Sequence, residues 1–139
     1  MTTYKYRLRS HIGGLAADLD AEFRPPQEAP ESHVQIHQRI RLELPRTGIY
    51  WKDLAWLAFG ASLHAMELAE RYPNGLSITI HFLRFPLADY RAEVAALAIE
   101  GWIRQELGLP EAGVYAEYSA ADGTYSFHWG DEASPFDDS

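Results

Sequence analysis

Apolar and polar residues alternate with two different periods along this chain, and the changes of period divide it into elements. Over residues 3 to 9, Tyr4, Tyr6 and Leu8 fall on one side, and Lys5, Arg7 and Arg9 on the other. Period two predicts a half-buried strand, because successive side chains of an extended chain point to opposite faces. Gly13-Gly14 ends it. Leu15 to Phe23 is compatible with a short helical turn. Arg24 to Glu31 (RPPQEAPE) is unable to continue one, because proline fixes φ and has no N–H to donate. Residues 13 to 31 are therefore expected to form a long proline-containing surface loop, of a length that is often functional or mobile.

His33 to Leu44 gives the cleanest strand pattern. Val34, Ile36, Ile40, Leu42 and Leu44 share one face, interrupted by Gln38, while His33, Gln35, His37, Arg39, Arg41 and Glu43 share the other. At Tyr50 the period changes. Leu54, Leu57, Ala58, Ala61, Ala65, Leu68 and Tyr72 recur at spacings of three and four, which predicts a helix over 50–72. A second stripe, Trp56, Phe59, Leu63 and Met66, lies roughly opposite the first. Polar groups belong there on a surface helix. Either the helix is covered on both sides, with the 13–31 loop as the candidate cover, or the stripe is offered to a partner or a second copy.

Pro73-Asn74-Gly75 stops the helix, since glycine tolerates the left-handed conformation at a helix end. Leu76, Ile78, Ile80 and Phe82 then alternate with Ser77, Thr79, His81 and Leu83 as another strand. Pro86 breaks it, and Asp89 is the expected N-cap of a second helix running to Leu107. Glu93, Glu100 and Arg104 form its narrow polar strip. Gly108 and Pro110 close it. Val114 to Tyr118 and Thr124 to Trp129 flank Ala120-Ala121-Asp122-Gly123, a hairpin signal.

The expected order is β-β-α-β-α-β-β. Right-handed crossovers that move one way along a sheet put both helices on one face, and alternating rather than continuously apolar strands agree with that. The expectation is an α+β (or α/β) two-layer sandwich: a mixed sheet of about five strands, two helices on one face, the other face partly open. Residues 1–130 read as a single domain and 131–139 as an acidic, flexible tail.

Composition narrows the functional classes. The chain has 139 residues, a formal net charge of −8 and no cysteine. Thiolate nucleophiles, disulfides and cysteine-based metal sites are thereby excluded. The negative field disfavours nucleic acid and anionic membranes and favours a basic partner. The opening residues carry no apolar core of a signal peptide, and no stretch of 18 uninterrupted apolar residues exists, so a cytoplasmic protein is expected.

No phosphate-cradling glycine loop, H-E-x-x-H or nucleophile elbow occurs. His33 and His37 have the spacing of a shared metal on a helix, but on a strand they are separated by about 13 Å. With apolar residues turned to the helices, His37, His81 and His128 project from the open face, together with Arg39, Arg41, Glu43, Thr79, Tyr115, Glu117 and Ser126. Three histidines there are the candidate ligands of a metal-dependent enzyme. Mixed Arg, Glu, Tyr and His on a flat sheet equally suit protein recognition.

The leading expectation is a non-enzymatic, cofactor-free protein-binding module that sequesters a basic partner. The model is a bacterial immunity or antitoxin protein, an analogy resting on size, acidity and missing catalytic motifs alone. Its candidate contacts are His37, Arg39, Arg41, Thr79, His81, Tyr115, Glu117 and His128, with Trp56, Phe59, Leu63 and Met66 as a possible dimer patch. The alternatives are the metal-dependent enzyme and an accessory or structural subunit of a larger complex.

Overall fold

The computed structural model describes residues 1–10, 13–26 and 32–130. The expected tail at 131–139 and part of the expected loop lie outside these residues. The fold is α+β, with a mixed five-stranded sheet, three helices and a separate two-stranded sheet. In chain order the elements are β1 (Thr2–Ser10), β2 (Gly13–Arg24), β3 (His33–His37), β4 (Ile40–Glu43), α1 (Trp51–Ser62), α2 (Ala65–Arg71), β5 (Leu76–Arg84), α3 (Glu93–Leu107), β6 (Val114–Ser119) and β7 (Thr124–Trp129). The sheet order is β1-β2-β5-β4-β3, and β4–β5 is its parallel pair.

The largest departure from expectation is β2. Residues 13–24 are not a loop but a twelve-residue strand beside the middle of the sheet, antiparallel to β1 on one side and β5 on the other. Leu15, Ala17, Leu19 and Ala21 are buried on one face, while Asp18 and Glu22 of the other are partly exposed. The period-two pattern is present, but Ala, Asp and Glu are poor strand formers in isolation. Pairing on both edges overrides that preference.

The expected strand over 33–44 is instead a hairpin, β3–β4, turning at Gln38-Arg39, where the apolar alternation is interrupted. The expected helix over 50–72 breaks after Ser62, where Leu63 and His64 turn the chain before α2 begins. Asp89 is not the cap of α3; it closes a 3-10 turn, Leu87–Asp89, and α3 starts at Glu93.

Strand β5 contains a bulge. Ala21 pairs with Ile80 and Asp20 with Phe82, so His81 is the extra residue. An extra residue reverses the alternation beyond it. Leu76, Ile78, Ile80 and Leu83 therefore meet the core, and Phe82 is 53% exposed, the opposite of the simple alternating pattern.

The helices pack on one face of the sheet, α3 over β1 and β2, α1 and α2 towards β3 and β4. Two glycines set these approaches. A Cβ at Gly60 of α1 would stand 2.5 Å from the Ala96 carbonyl oxygen of α3, and one at Gly101 would stand 2.4 Å from the Tyr4 ring of β1. Trp102 is fully buried, and its indole N–H donates to Thr2 Oγ1 at 2.9 Å. The β6–β7 hairpin does not extend the main sheet. It packs on α1, where Trp129 stacks on Trp56 at 5.4 Å and meets Phe59 edge-on at 5.2 Å. Of the second apolar stripe of α1, Trp56 and Phe59 thus meet the last hairpin, while Met66 is exposed.

Candidate functional site

The face of the sheet away from the helices is a ladder of charges. Arg7 pairs with Asp18 at 2.7 Å, Arg24 with Glu22 at 2.5 Å, and Arg84 with Asp20. His81 Nε2 lies 2.7 Å from Glu22, Thr79 donates to Glu43 at 3.0 Å, and Arg41 stands 3.9 Å from Glu43. The His81 hydrogen bond, with help from Arg24, holds the Glu22 carboxyl below its ordinary range despite partial burial. This face is largely neutralised from within.

The residues expected to share the open face separate into groups. Arg41, Glu43, Thr79 and His81 are together on the main sheet. Tyr115, Glu117, His128 and Ser126 form the outer face of the β6–β7 hairpin, with Tyr115 stacked on His128 at 4.5 Å and His128 3.4 Å from Glu117. Arg39 donates to the Pro73 carbonyl, and His37 pairs with Ile40, a core residue. His37, His81 and His128 therefore lie on three different strands in two sheets. Among the described residues, no group of three metal-ligating side chains occurs. Trp56, Phe59 and Leu63 are packed into the molecule, while Met66 is exposed.

Two acids carry environments that the sequence pattern did not disclose. Glu100, expected on the polar strip of α3, is 1% exposed. Its Oε2 accepts from Arg104 Nε at 2.7 Å and lies 2.8 Å from His64 Nε2, brought in by the α1–α2 break. Burial pushes the Glu100 carboxyl up, but the His64 and Arg104 bonds and the Arg104 charge outweigh it and hold the group below its ordinary value. The i,i+4 spacing to Arg104 was visible; the approach of His64 was not.

The other is Asp53, in the first turn of α1 and 6% exposed. Its Oδ1 accepts the Tyr90 hydroxyl at 2.7 Å, and Tyr90 stacks on Phe85 at 3.6 Å. Burial, the bond to Asp53 and the nearby negative charges raise the Tyr90 phenol far above its ordinary value, so it remains a donor. Asp53 lines a cleft of about 260 Å³ where the parallel strands β4 and β5 end. Tyr50, Phe82 and Phe85 are its aromatic lining, with His81 and Thr47 as polar members. Crevices beyond the carboxyl ends of parallel strands are where open α/β sheets receive ligands.

Exposed aromatic rings line and adjoin this cleft. Tyr50 in its lining is 61% exposed, Phe82 53%, and the neighbouring Trp51 64%. Tyr50 and Trp51 contact each other, with ring centroids 6.1 Å apart. A separate apolar depression of about 380 Å³ is lined by Phe23, Pro25, Pro26 and Tyr72.

No helix of the described residues is long and apolar enough to cross a membrane. No protein-family model matches this chain, and neither does any curated protein or solved structure.

Proposed function

We propose that this protein is a non-enzymatic binding module whose partner is a basic protein, engaged at the aromatic end of β4 and β5. The observation that carries the reading is the exposure of Tyr50 and Phe82 in the lining of one cleft, with exposed Trp51 against Tyr50. Trp and Tyr supply large contact area at low conformational cost, and they are enriched among residues that dominate binding energy. Leaving such rings in water is unfavourable by about 25 cal/mol per Å² of apolar area, which a partner surface recovers.

Charge supports a basic partner in a different way from that expected. All Lys and Arg lie in the described fold, whereas Glu28, Glu31, Asp131, Glu132, Asp137 and Asp138 lie outside it. The fold itself is close to neutral and internally paired. The acidity that would steer a basic protein belongs to those two stretches, and such steering acts on association rate more than on final affinity. The role in keeping with this reading is sequestration or inhibition of the partner, as bacterial immunity proteins do, in the cytoplasm, without nucleic acid or membrane.

The test is comparative capture from the native host, with the wild-type protein and a Trp51→Ala/Phe82→Ala variant. Both side chains are exposed, so the variant retains the fold. The expected result is a protein rich in Lys and Arg, retained at low salt by the wild type and lost by the variant. Equal capture by both proteins, or an acidic partner, overturns the reading.

A further inference from the structure

Every described buried acid but one has a cation. Asp20 is paired with Arg84, Glu43 lies near Arg41, and Glu100 has both His64 and Arg104. Asp53 has only the neutral hydroxyl of Tyr90, and among the described residues no Lys, Arg or His nitrogen stands within 4 Å of it. A buried carboxylate without a counter-charge is costly, because it has exchanged water for a poorer environment. Its neighbours Arg46 and Lys52 are exposed, and Lys52 lies over the Trp51 ring rather than at the carboxylate.

We infer that the Asp53 cleft is a receptor for one arginine side chain of the partner. This rests on the protein-binding reading and names the chemistry at its centre. The volume, about 260 Å³, lies below the roughly 300–1,000 Å³ of sites that enclose a whole small molecule, and suits a single side chain. Tyr50, Phe82 and Phe85 line it, and aromatic faces attract a guanidinium. Phe82 meets a guanidinium within the chain itself, that of Arg84 at 5.5 Å from its ring centroid. Asp53 then supplies the charge-assisted acceptor.

The amino end of α1 opposes a cation, but its partial charge is about half a unit, whereas the carboxylate carries a full negative charge. An anion faces the reverse balance and is excluded by the same acid. Tyr90 fixes one carboxylate oxygen and leaves Oδ2 for the ligand.

The probe is N-acetyl-arginine amide, titrated into the full chain and followed by NMR on the Tyr50 and Phe85 rings and the Asp53 carboxyl. N-acetyl-norleucine amide is the uncharged control. Saturable shifts with the arginine probe alone, and at least roughly tenfold weaker binding in Asp53→Asn, are expected from the loss of a charge-assisted bond. Asn keeps the acceptor for Tyr90, so the fold is retained. Tyr50→Leu, at an exposed position, is expected to weaken the probe severalfold. No saturable shift at about 50 mM probe, equal response to the control, or unchanged binding in Asp53→Asn overturns the inference. A captured partner that binds wild type and Asp53→Asn alike also overturns it, while leaving the protein-binding reading standing. Saturable probe binding by a chain that captures no partner supports the pocket and removes that reading.

Discussion

His64 Nε2 lies 2.8 Å from Glu100 Oε2 across the interface between the α1–α2 break and α3, and both residues are buried. Arg104 donates to the same oxygen at 2.7 Å. The folded Glu100 carboxyl titrates below its ordinary value of 4.5, so its contribution to stability is complete above that pH. The contribution is lost as pH falls through the folded value, because the unfolded carboxyl has then already taken up its proton. Glu100→Gln leaves Arg104 without its counter-ion and is expected to cost about 3 kcal/mol at pH 7, the lower end for a broken buried pair because Arg104 reaches solvent. The gap between wild type and variant narrows in acid. Urea unfolding at pH 7 and pH 3 measures it; a gap that stays constant contradicts the assignment.

The two helical glycines are expected to behave differently. Alanine at a helix interior is normally favoured over glycine by about 1 kcal/mol. At Gly60, however, the new Cβ meets backbone, the Ala96 carbonyl oxygen at 2.5 Å and Cα at 2.8 Å, and neither moves without shifting a helix. Gly60→Ala is expected to destabilise by about 2 kcal/mol net. At Gly101 the obstacle is the far end of the Tyr4 ring on edge strand β1, which can swing aside. Gly101→Ala is expected to cost less than Gly60→Ala in denaturant titrations, and the reverse order contradicts this packing account.

These contrasts show which physics is local enough to read from sequence. β1, α3 with its Gly108 end and the Asp122-Gly123 hairpin follow from patterns of a few residues. β2 failed because its alternation competed with helix-favouring Ala, Asp and Glu, and only pairing with β1 and β5 resolves that competition. The exchange of Phe82 and Leu83 follows from one bulge, invisible without the register. The hairpin that carries Trp129 was legible, but not that Trp129 would pack on α1. The burial of Glu100 depends on a histidine 36 residues away, and that of Asp53 on a tyrosine 37 residues away.

His81 and Glu22 give a prediction on the open face. The hydrogen bond from His81 is the largest cause of the lowered Glu22 carboxyl, ahead of opposing burial and assisting Arg24. In His81→Gln the Glu22 carboxyl is expected to titrate closer to its ordinary value, read by carbon-detected NMR between pH 2 and 7. Because the folded value is depressed, wild type loses this contribution as pH falls below about 4.5, and the variant loses less. An unmoved Glu22 titration would assign the shift to Arg24 and the amino terminus.

The last prediction concerns the hairpin as a cover. Trp129 is 7% exposed, and its ring sits between Trp56 at 5.4 Å, Phe59 at 5.2 Å and Phe127 at 6.0 Å. Removing it opens a cavity against α1 and uncovers two aromatic side chains at once. Trp129→Ala is expected to cost about 3–5 kcal/mol, as for other buried aromatic truncations. Where enough fold remains, the bared Trp56 and Phe59 should drive stronger self-association than in the wild type, detected by light scattering across a concentration series. Tyr115 lies on the same hairpin but faces outward at 48% exposure, so Tyr115→Ala is expected to cost less than about 1 kcal/mol and leave assembly unchanged. The pair separates loss of the cover from general damage to the hairpin. If both variants associate alike, the hairpin's inner face is not what shields α1.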